Sequence, residues 1–250
     1  MIYVLTVVRN RIVTTRKFIK KINNQKCKIE EIVVVDDGST DGTLEFLTKE
    51  NVKILKGDGN LWWTGGVNFG LSYIFPKTNT GDFIFIANDD IKIKSNFIEK
   101  LVAESKKNHR AIVSAISKNK FGKVLRTGVK YEWKPFKVKA EENNPDAFST
   151  RSTIIPVEVF SKIGLFDQKN FPHYTSDFDF FLRAKQAGFS LKLIKDAFVV
   201  TNDSPRIKSK TSIKSAGNIY NWTRFLWKHS PGYFWKFINI GREWLSLLVN

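Results

Sequence analysis

Phe83-Ile84-Phe85-Ile86-Ala87 is an unbroken apolar run, bounded by Asp82 on one side and by Asn88-Asp89-Asp90 on the other. A strand with one face in water alternates polar and apolar residues, so a run without alternation belongs inside a sheet that helices cover on both faces. The segments before it supply such helices. Residues 2–8 are a β-branched apolar strand, residues 13–24 place Val13, Phe18, Ile19 and Ile22 at helical spacing, and residues 31–35 form a second strand. The polar turn Asp36-Asp37-Gly38-Ser39-Thr40-Asp41-Gly42-Thr43 offers Ser39, Thr40 or Asp41 as N-cap for a helix through Leu44, Phe46 and Leu47. A third strand at 52–55, a glycine-rich loop at 57–60, a helix at 68–75 and a turn at 76–81 lead back to the apolar run. The order β-α-β-α-β-α-β predicts an α/β fold, a doubly wound, mostly parallel, Rossmann-like central sheet.

In such a sheet ligands bind beyond the carboxyl ends of the strands. Asp36 and Asp37 follow one strand and Asp89 and Asp90 another, so both acidic pairs are expected at one crevice, where four carboxylates call for a cation. The second half is less regular: strands at 111–117 and 152–157, a long polar stretch at 134–146, and a helix at 179–188. Residues 130–150 are the expected site of a variable acceptor loop.

At 250 residues and 42 % hydrophobic content the chain can bury a substantial core. No run of eighteen apolar residues occurs, and Arg9 interrupts the first apolar segment too early for a signal peptide or a span, so the expectation is a cytoplasmic protein. The single Cys27 cannot form an internal disulfide. A net charge of +17 attracts polyanions of any kind. The excess is scattered in short pairs such as Lys20-Lys21 and Lys106-Lys107, without Cys/His finger spacing or an RNA-reading aromatic signature, so nucleic acid is not the expected partner.

Asn88-Asp89-Asp90 puts two adjacent carboxylates on a turn after a buried strand. Oxygen ligands without nearby His or Cys suit Mg2+ or Mn2+. Taken alone, the same turn is equally read as an Asx cap for a helix starting at Phe97.

The run Val33-Val34-Val35-Asp36-Asp37-Gly38-Ser39, followed by Ile84-Phe85-Ile86-Ala87-Asn88-Asp89-Asp90, resembles glycosyltransferase family 2, an inverting family with the GT-A fold. The resemblance covers residues 1 to about 200. It implies that residues 6–10, with Thr6, Val8 and Asn10, form the first nucleotide-contacting turn, and that Asp36 and Asp37 meet the nucleoside. Asn88 and Asp89 would then contact the donor, with Asp89 and Asp90 at a metal that bridges its diphosphate. The segment Tyr174-Thr175-Ser176-Asp177-Phe178-Asp179-Phe180-Phe181-Leu182-Arg183 is similar to the family's E-D-x-D-x-x-x-R stretch and puts Asp177 at the catalytic base. Asp177 also reads as a helix N-cap, and both roles can coexist. The chain departs from the family at 201–203, where a metal-binding His is common and Thr201-Asn202-Asp203 stands instead; Asp203 or Asn202 is the candidate replacement ligand. His173 is the one active-site candidate among the histidines, and His109 and His229 read as surface residues.

Asn60-Leu61-Trp62-Trp63-Thr64-Gly65-Gly66-Val67-Asn68 is similar to a loop of rhamnosyltransferase-like members. That likeness makes Asn60, Trp62, Trp63, Gly65 and Asn68 candidate donor contacts, with core packing of a Trp and pinning of the loop by Asn68 as the plain alternatives. The implied donor is a UDP- or dTDP-linked sugar, the acceptor a carbohydrate or lipid-linked one, and the setting bacterial cell-surface polysaccharide synthesis.

Residues 206–250 interleave Trp222, Trp227, Trp235 and Trp244 with Arg224, Lys228, Lys236 and Arg242 in two helical segments, 218–228 and 233–249. This suits either a peripheral contact with an anionic membrane or packing on the chain's own domain or on a second copy as a homodimer. Arg206, Lys208, Lys210 and Lys214 offer a lid over the diphosphate or a solvated loop. The expected organisation is a transferase domain at 1–205, with a nucleotide-binding half at 1–100 and an acceptor and catalytic half at 101–205, followed by a helical extension. Two other classes compete. A nucleotidyltransferase would also use paired carboxylates and a metal, but Val8-Arg9-Asn10-Arg11-Ile12 lacks the glycines of its phosphate loop. A non-catalytic polyanion- or membrane-binding module would use only the charge and the tryptophan-rich tail.

Overall fold

Side-chain parity organises the chain in the computed structural model, which describes residues 1–119, 121–126, 128–200 and 216–248. On strands β1 (Ile2–Val8), β2 (Glu31–Asp36) and β4 (Phe83–Ala87), successive side chains leave for opposite faces. Leu5, Val33, Val35, Ile84 and Ile86 enter one buried cluster, while Val4, Val34, Phe85 and Ala87 enter another. The first is covered by α3 (Trp62–Ile74), α5 (Val157–Ile163), α6 (Ser176–Gln186) and α7 (Ala216–His229). The second lies under α1 (Ile12–Asn23), α2 (Thr43–Leu47) and α4 (Phe97–Lys107).

With β3 (Lys53–Lys56), β5 (Ile112–Lys118), β9 (Ser152–Pro156) and β10 (Leu191–Val200), the sheet runs β10-β5-β9-β4-β1-β2-β3, and β6 (Val124–Arg126) pairs with β5. β1 pairs parallel with β2 and β4, whereas β9 runs antiparallel between β4 and β5. The sheet is mostly parallel, as the element order requires.

Three features differ from the sequence expectation. Helix α3 starts at Trp62, not near residue 68, and takes in the Gly65-Gly66 pair. Glycines normally break helices. Here they let α3 press on β1: a Cβ on Gly66 would lie 2.6 Å from Val7 Cγ1, and one on Gly70 2.2 Å from Leu5 Cδ1. The stretch expected as polar loop holds a hairpin, β7 (Gly128–Trp133) with β8 (Phe136–Glu141). Asp146 holds it in place, accepting the Tyr131 backbone N–H at 2.9 Å and pairing with Lys130 and Lys185.

The third difference is in the tail, α7 and α8 (Gly232–Leu248). Trp222 and Phe225 of α7 join Tyr131, Trp133 and Phe136 of the hairpin in one aromatic cluster. His229, expected on the surface, has a side chain only 4 % exposed, with Nε2 2.9 Å from Asp179 Oδ1. A buried carboxylate demands such partners. Lys228 Nζ stands 2.7 Å from Asp179 and 2.8 Å from Asp167, and Arg183 Nε donates to Asp179 at 2.8 Å. Burial pushes the Asp179 carboxyl up, but these bonds outweigh it and hold the group at about 2. Among the described residues no helix is long and apolar enough to cross a membrane.

Candidate active site

The carboxyl ends of β1, β2 and β4 open on a cleft of about 370 Å³. Its walls are Val7, Val8, Arg9 and Arg11 from β1 and the turn beyond it, Asp37 after β2, Trp62 and Trp63 at the head of α3, Asn88-Asp89-Asp90 after β4, and His173 ahead of α6. Asp37 and the Asp89-Asp90 pair thus reach one cleft across β1, which lies between their two strands, whereas Asp36 is not among its walls.

The four carboxylates do different work. Asp36 is buried and its Oδ1 accepts the Ser39 N–H at 3.0 Å, closing the turn after β2. Asp37 Oδ1 accepts N–H groups from Gly59 at 2.8 Å and Leu61 at 3.4 Å, so it fixes the glycine-rich loop against the cleft. Asp89, expected beside Asp90 at a metal, turns its carboxylate into the protein. Its oxygens accept from Arg11 Nε at 2.7 Å and from Thr15 Oγ1 at 2.8 Å. Burial pushes the Asp89 carboxyl up, against the pull of Arg11 and Thr15. Asp90 is the reverse case. Its Oδ2 is 3.8 Å from Arg11 Nη2 and 3.6 Å from Arg151 Nη1, whereas its Oδ1 is buried with no hydrogen-bond partner.

Around this edge, Asn10 has φ 51° and knots two turns together: its Oδ1 accepts the Thr40 N–H at 2.7 Å and its own N–H donates to Ser39 Oγ at 2.9 Å. Thr6 is buried within β1 and its Oγ1 has no partner. Arg9 Nη1 donates to the Gly59 carbonyl. Asn60 is exposed on the loop. Trp62 is 60 % exposed, with its ring centroid 5.3 Å from that of His173, and Trp63 meets Phe166 edge-on at 5.6 Å. Gly65 faces Gln168 rather than the cleft. Asn68, a candidate donor contact, spends its amide on the chain itself, donating to the Phe166 carbonyl at 2.9 Å and accepting the Phe166 N–H at 3.1 Å.

His173 Nδ1 is buried without a partner, and burial lowers the imidazole below its ordinary 6.5, which keeps it neutral. Asp177 is the second residue of α6, half-buried, with Oδ1 accepting the Phe178 N–H at 3.0 Å. The positive end of a helix favours its ionised form. It stands outside the cleft walls named above, close enough to the buried Tyr131 hydroxyl that, after burial itself, its charge helps to raise that group well above 10. Asn202 and Asp203, and the basic stretch Arg206, Lys208, Lys210 and Lys214, lie outside the described residues. Among the described residues, no three His, Cys, Asp or Glu side chains group so as to hold a metal ion.

Sequence reasoning missed Arg11, Thr15 and Arg151, and took in Arg9 only as part of the turn at 6–10. Arg11 follows the first strand, where a cation beside a carboxylate-rich crevice was a signal available to find.

The model of the family described as glycosyl transferase family 2 matches residues 3–166, well over half of the chain. The chain belongs to glycosyl transferase family 2. This family 2 chain is 22 % identical over 183 residues to the low-salt glycan biosynthesis hexosyltransferase Agl10 of Haloferax volcanii, covering 69 % of this chain and 59 % of Agl10. It therefore spans less than two thirds of that relative's length. Solved structures share the GT-A fold. GalNAc-T7 with UDP, GalNAc and Mn2+ superposes with a TM-score of 0.69 at 16 % identity, over 94 % of this chain and 50 % of GalNAc-T7. The mannosyltransferase PcManGT of Pyrobaculum calidifontis with GDP-Man and Mn2+ gives 0.63 at 16 % identity, over 90 % and 61 %. TarS 1-349 of S. aureus with UDP-GlcNAc gives 0.62 at 13 % identity, over 91 % and 66 %.

Proposed function

We propose that the chain transfers a sugar, with inversion, from a nucleotide diphosphate to an acceptor hydroxyl. The observation that carries this reading is Asp90 Oδ1, a buried and unpartnered carboxylate oxygen in the cleft at the strand ends of a family 2 fold. A buried oxygen of this kind needs a ligand to satisfy it.

A hard divalent cation suits that oxygen, and the residue set is compatible with one. Asp90 would hold it; Asp89, committed to Arg11 and Thr15, would act behind it by fixing the turn. Mn2+ accompanies the nucleotide or nucleotide sugar in GalNAc-T7 and PcManGT, which supports Mn2+ ahead of Mg2+. When bound, the cation would neutralise charge on the departing diphosphate. The remaining work falls to protein groups. Asp37 and the loop it holds border the nucleoside, the exposed Trp62 face offers a stacking surface for a sugar, and neutral His173 presents an unused ring nitrogen. Asp177, at the head of α6, takes the acceptor proton as the hydroxyl attacks.

The finer assignment rests on sequence likeness: a UDP- or dTDP-linked donor, with rhamnose favoured by the Trp62-Trp63 segment, and a carbohydrate or lipid-linked acceptor in bacterial surface polysaccharide synthesis. The glycan role of Agl10 supports that setting in kind. The place is the cytoplasmic side of the membrane. Residues 1–205 carry the transfer and 206–250 attach it to its surroundings.

Calorimetry with UDP-glucose, UDP-GlcNAc, GDP-mannose and dTDP-rhamnose tests the reading. At least one should bind more tightly with Mn2+, and Asp90→Asn should remove the Mn2+ dependence. Absence of binding by all four, with and without Mn2+, overturns it.

A further inference from the structure

Helix α8 is held to the body of the protein by one face and leaves the opposite one in water. On the inner face Asn239 is buried, accepting the Phe136 N–H and donating to the Trp133 carbonyl, each at 2.9 Å. On the outer face Tyr233, Phe234, Phe237 and Trp244 are each half or more exposed. At 100° per residue Tyr233, Phe237 and Trp244 fall within roughly 40° of one another, so they form one stripe. Trp227 of α7 extends it, with ring centroids 6.4 Å from Tyr233 and 5.8 Å from Phe237. An apolar patch of this size on a helix is an interaction surface.

Its chemistry selects the partner. Rings dominate the patch, three of its five residues are Trp or Tyr, and such side chains favour the boundary between headgroups and acyl chains. Lys236 Nζ stands 5.1 Å from the Trp227 centroid and 5.3 Å from that of Tyr233, and the one acidic residue of α8, Glu243, is half-buried. The whole chain carries +17. A lysine beside a ring-rich face, on a chain of that net charge, matches a surface that is apolar below and negatively charged above.

We propose that this face docks the protein on an anionic lipid surface, with the rings of α8 in the headgroup layer. The docked face is joined to the chemistry. Lys228 and His229, at the end of α7, both bind Asp179 two residues beyond Asp177, so the surface that seats α7 and α8 also orients the head of α6. Resting on the transferase reading above, the acceptor is then a carbohydrate carried on a lipid in that same surface.

Vesicle flotation tests this with the full chain, using phosphatidylcholine vesicles with and without phosphatidylglycerol. The chain should float with the anionic vesicles, less so at high salt, and remain below with phosphatidylcholine alone. Phe234→Ser combined with Phe237→Ser and Trp244→Ser should reduce flotation roughly tenfold while leaving thermal unfolding and nucleotide-sugar binding by calorimetry as in the parent. Equal flotation of parent and variant overturns the proposal, as does a parent that never floats. Sedimentation that shows a parent dimer dissolved by the same substitutions also overturns it, since the face would then join two copies. Flotation without binding of any nucleotide sugar sinks the lipid-linked acceptor together with the transferase reading, and a parent that binds a donor yet never floats sinks the docking alone.

Discussion

Arg11 Nε donates to Asp89 Oδ1 at 2.7 Å, joining the turn after the first strand to the turn after the fourth. Asp89 is almost fully buried, and with Thr15 the arginine supplies its compensation. Removing one partner of a buried charge costs more than the bond contributes, because the charge stays behind. Arg11→Ala should lower stability by about 2 kcal/mol and Thr15→Val by about 1 kcal/mol in urea titrations. Asp89→Asn in the Arg11→Ala background should recover part of the loss, and a double-mutant cycle showing no coupling would count against the contact.

Asp179 gives a pH dependence of defined sign. Its carboxyl sits at about 2 in the folded chain against an ordinary 3.8, so the folded state holds the ionised form more strongly than the unfolded state does. Stability from this group is present above the unfolded value and is lost as pH falls from there through about 2. The difference amounts to about 2 kcal/mol. Chemical denaturation at a series of pH values should show that loss in the parent and a flatter acid limb in Asp179→Asn, which starts less stable.

The glycines of α3 and α8 should respond oppositely to one substitution. Alanine favours a helix over glycine by about 1 kcal/mol. At Gly241 of α8 a new Cβ meets nothing within 4 Å, so Gly241→Ala should raise the melting temperature. At Gly66 it meets Val7, a β-branched side chain on a strand with little freedom to turn aside. Gly66→Ala should cost about 2 kcal/mol net. Thermal scans of the two variants beside the parent decide both.

These glycines also mark where sequence reasoning reached its limit. The apolar run 83–87 announces its environment locally, because a strand covered on both faces needs no polar alternation; hence the sheet and its parallel order were legible. The Asn88-Asp89-Asp90 turn was legible by position, following that strand. What a residue does with its neighbours across the fold was not. Gly65 and Gly66 read as part of a loop before the helix until Gln168 and Val7 are known to lie against them. Asp89 read as a metal ligand beside Asp90 until Arg11 and Thr15 are known to claim it. The β7–β8 hairpin was hidden because its lysines read as solvated loop, while the carboxylate that holds it, Asp146, bonds to backbone fifteen residues away. His229 read as exposed because nothing near it in sequence reveals a buried carboxylate on α6.

Asp177 and Asp90 separate binding from chemistry. Asp90, on the turn after β4, lines the cleft and carries the unpartnered oxygen, whereas Asp177 stands in the first turn of helix α6 beyond the cleft walls. If Asp90 holds the donor diphosphate through a cation, Asp90→Asn should weaken Mn2+-dependent donor binding and transfer together. If Asp177 takes the acceptor proton, Asp177→Asn should leave donor affinity near the parent value and lower the transfer rate by roughly a hundredfold to ten-thousandfold, the usual worth of a general base. The amide is nearly isosteric and keeps an oxygen for the Phe178 N–H that Asp177 now accepts at 3.0 Å, so the head of the helix should survive the change. Single-turnover transfer to a verified acceptor, measured beside donor calorimetry, reads both quantities. A parent-like rate in Asp177→Asn would remove it as the base, and a parallel fall in donor affinity would assign it to binding instead.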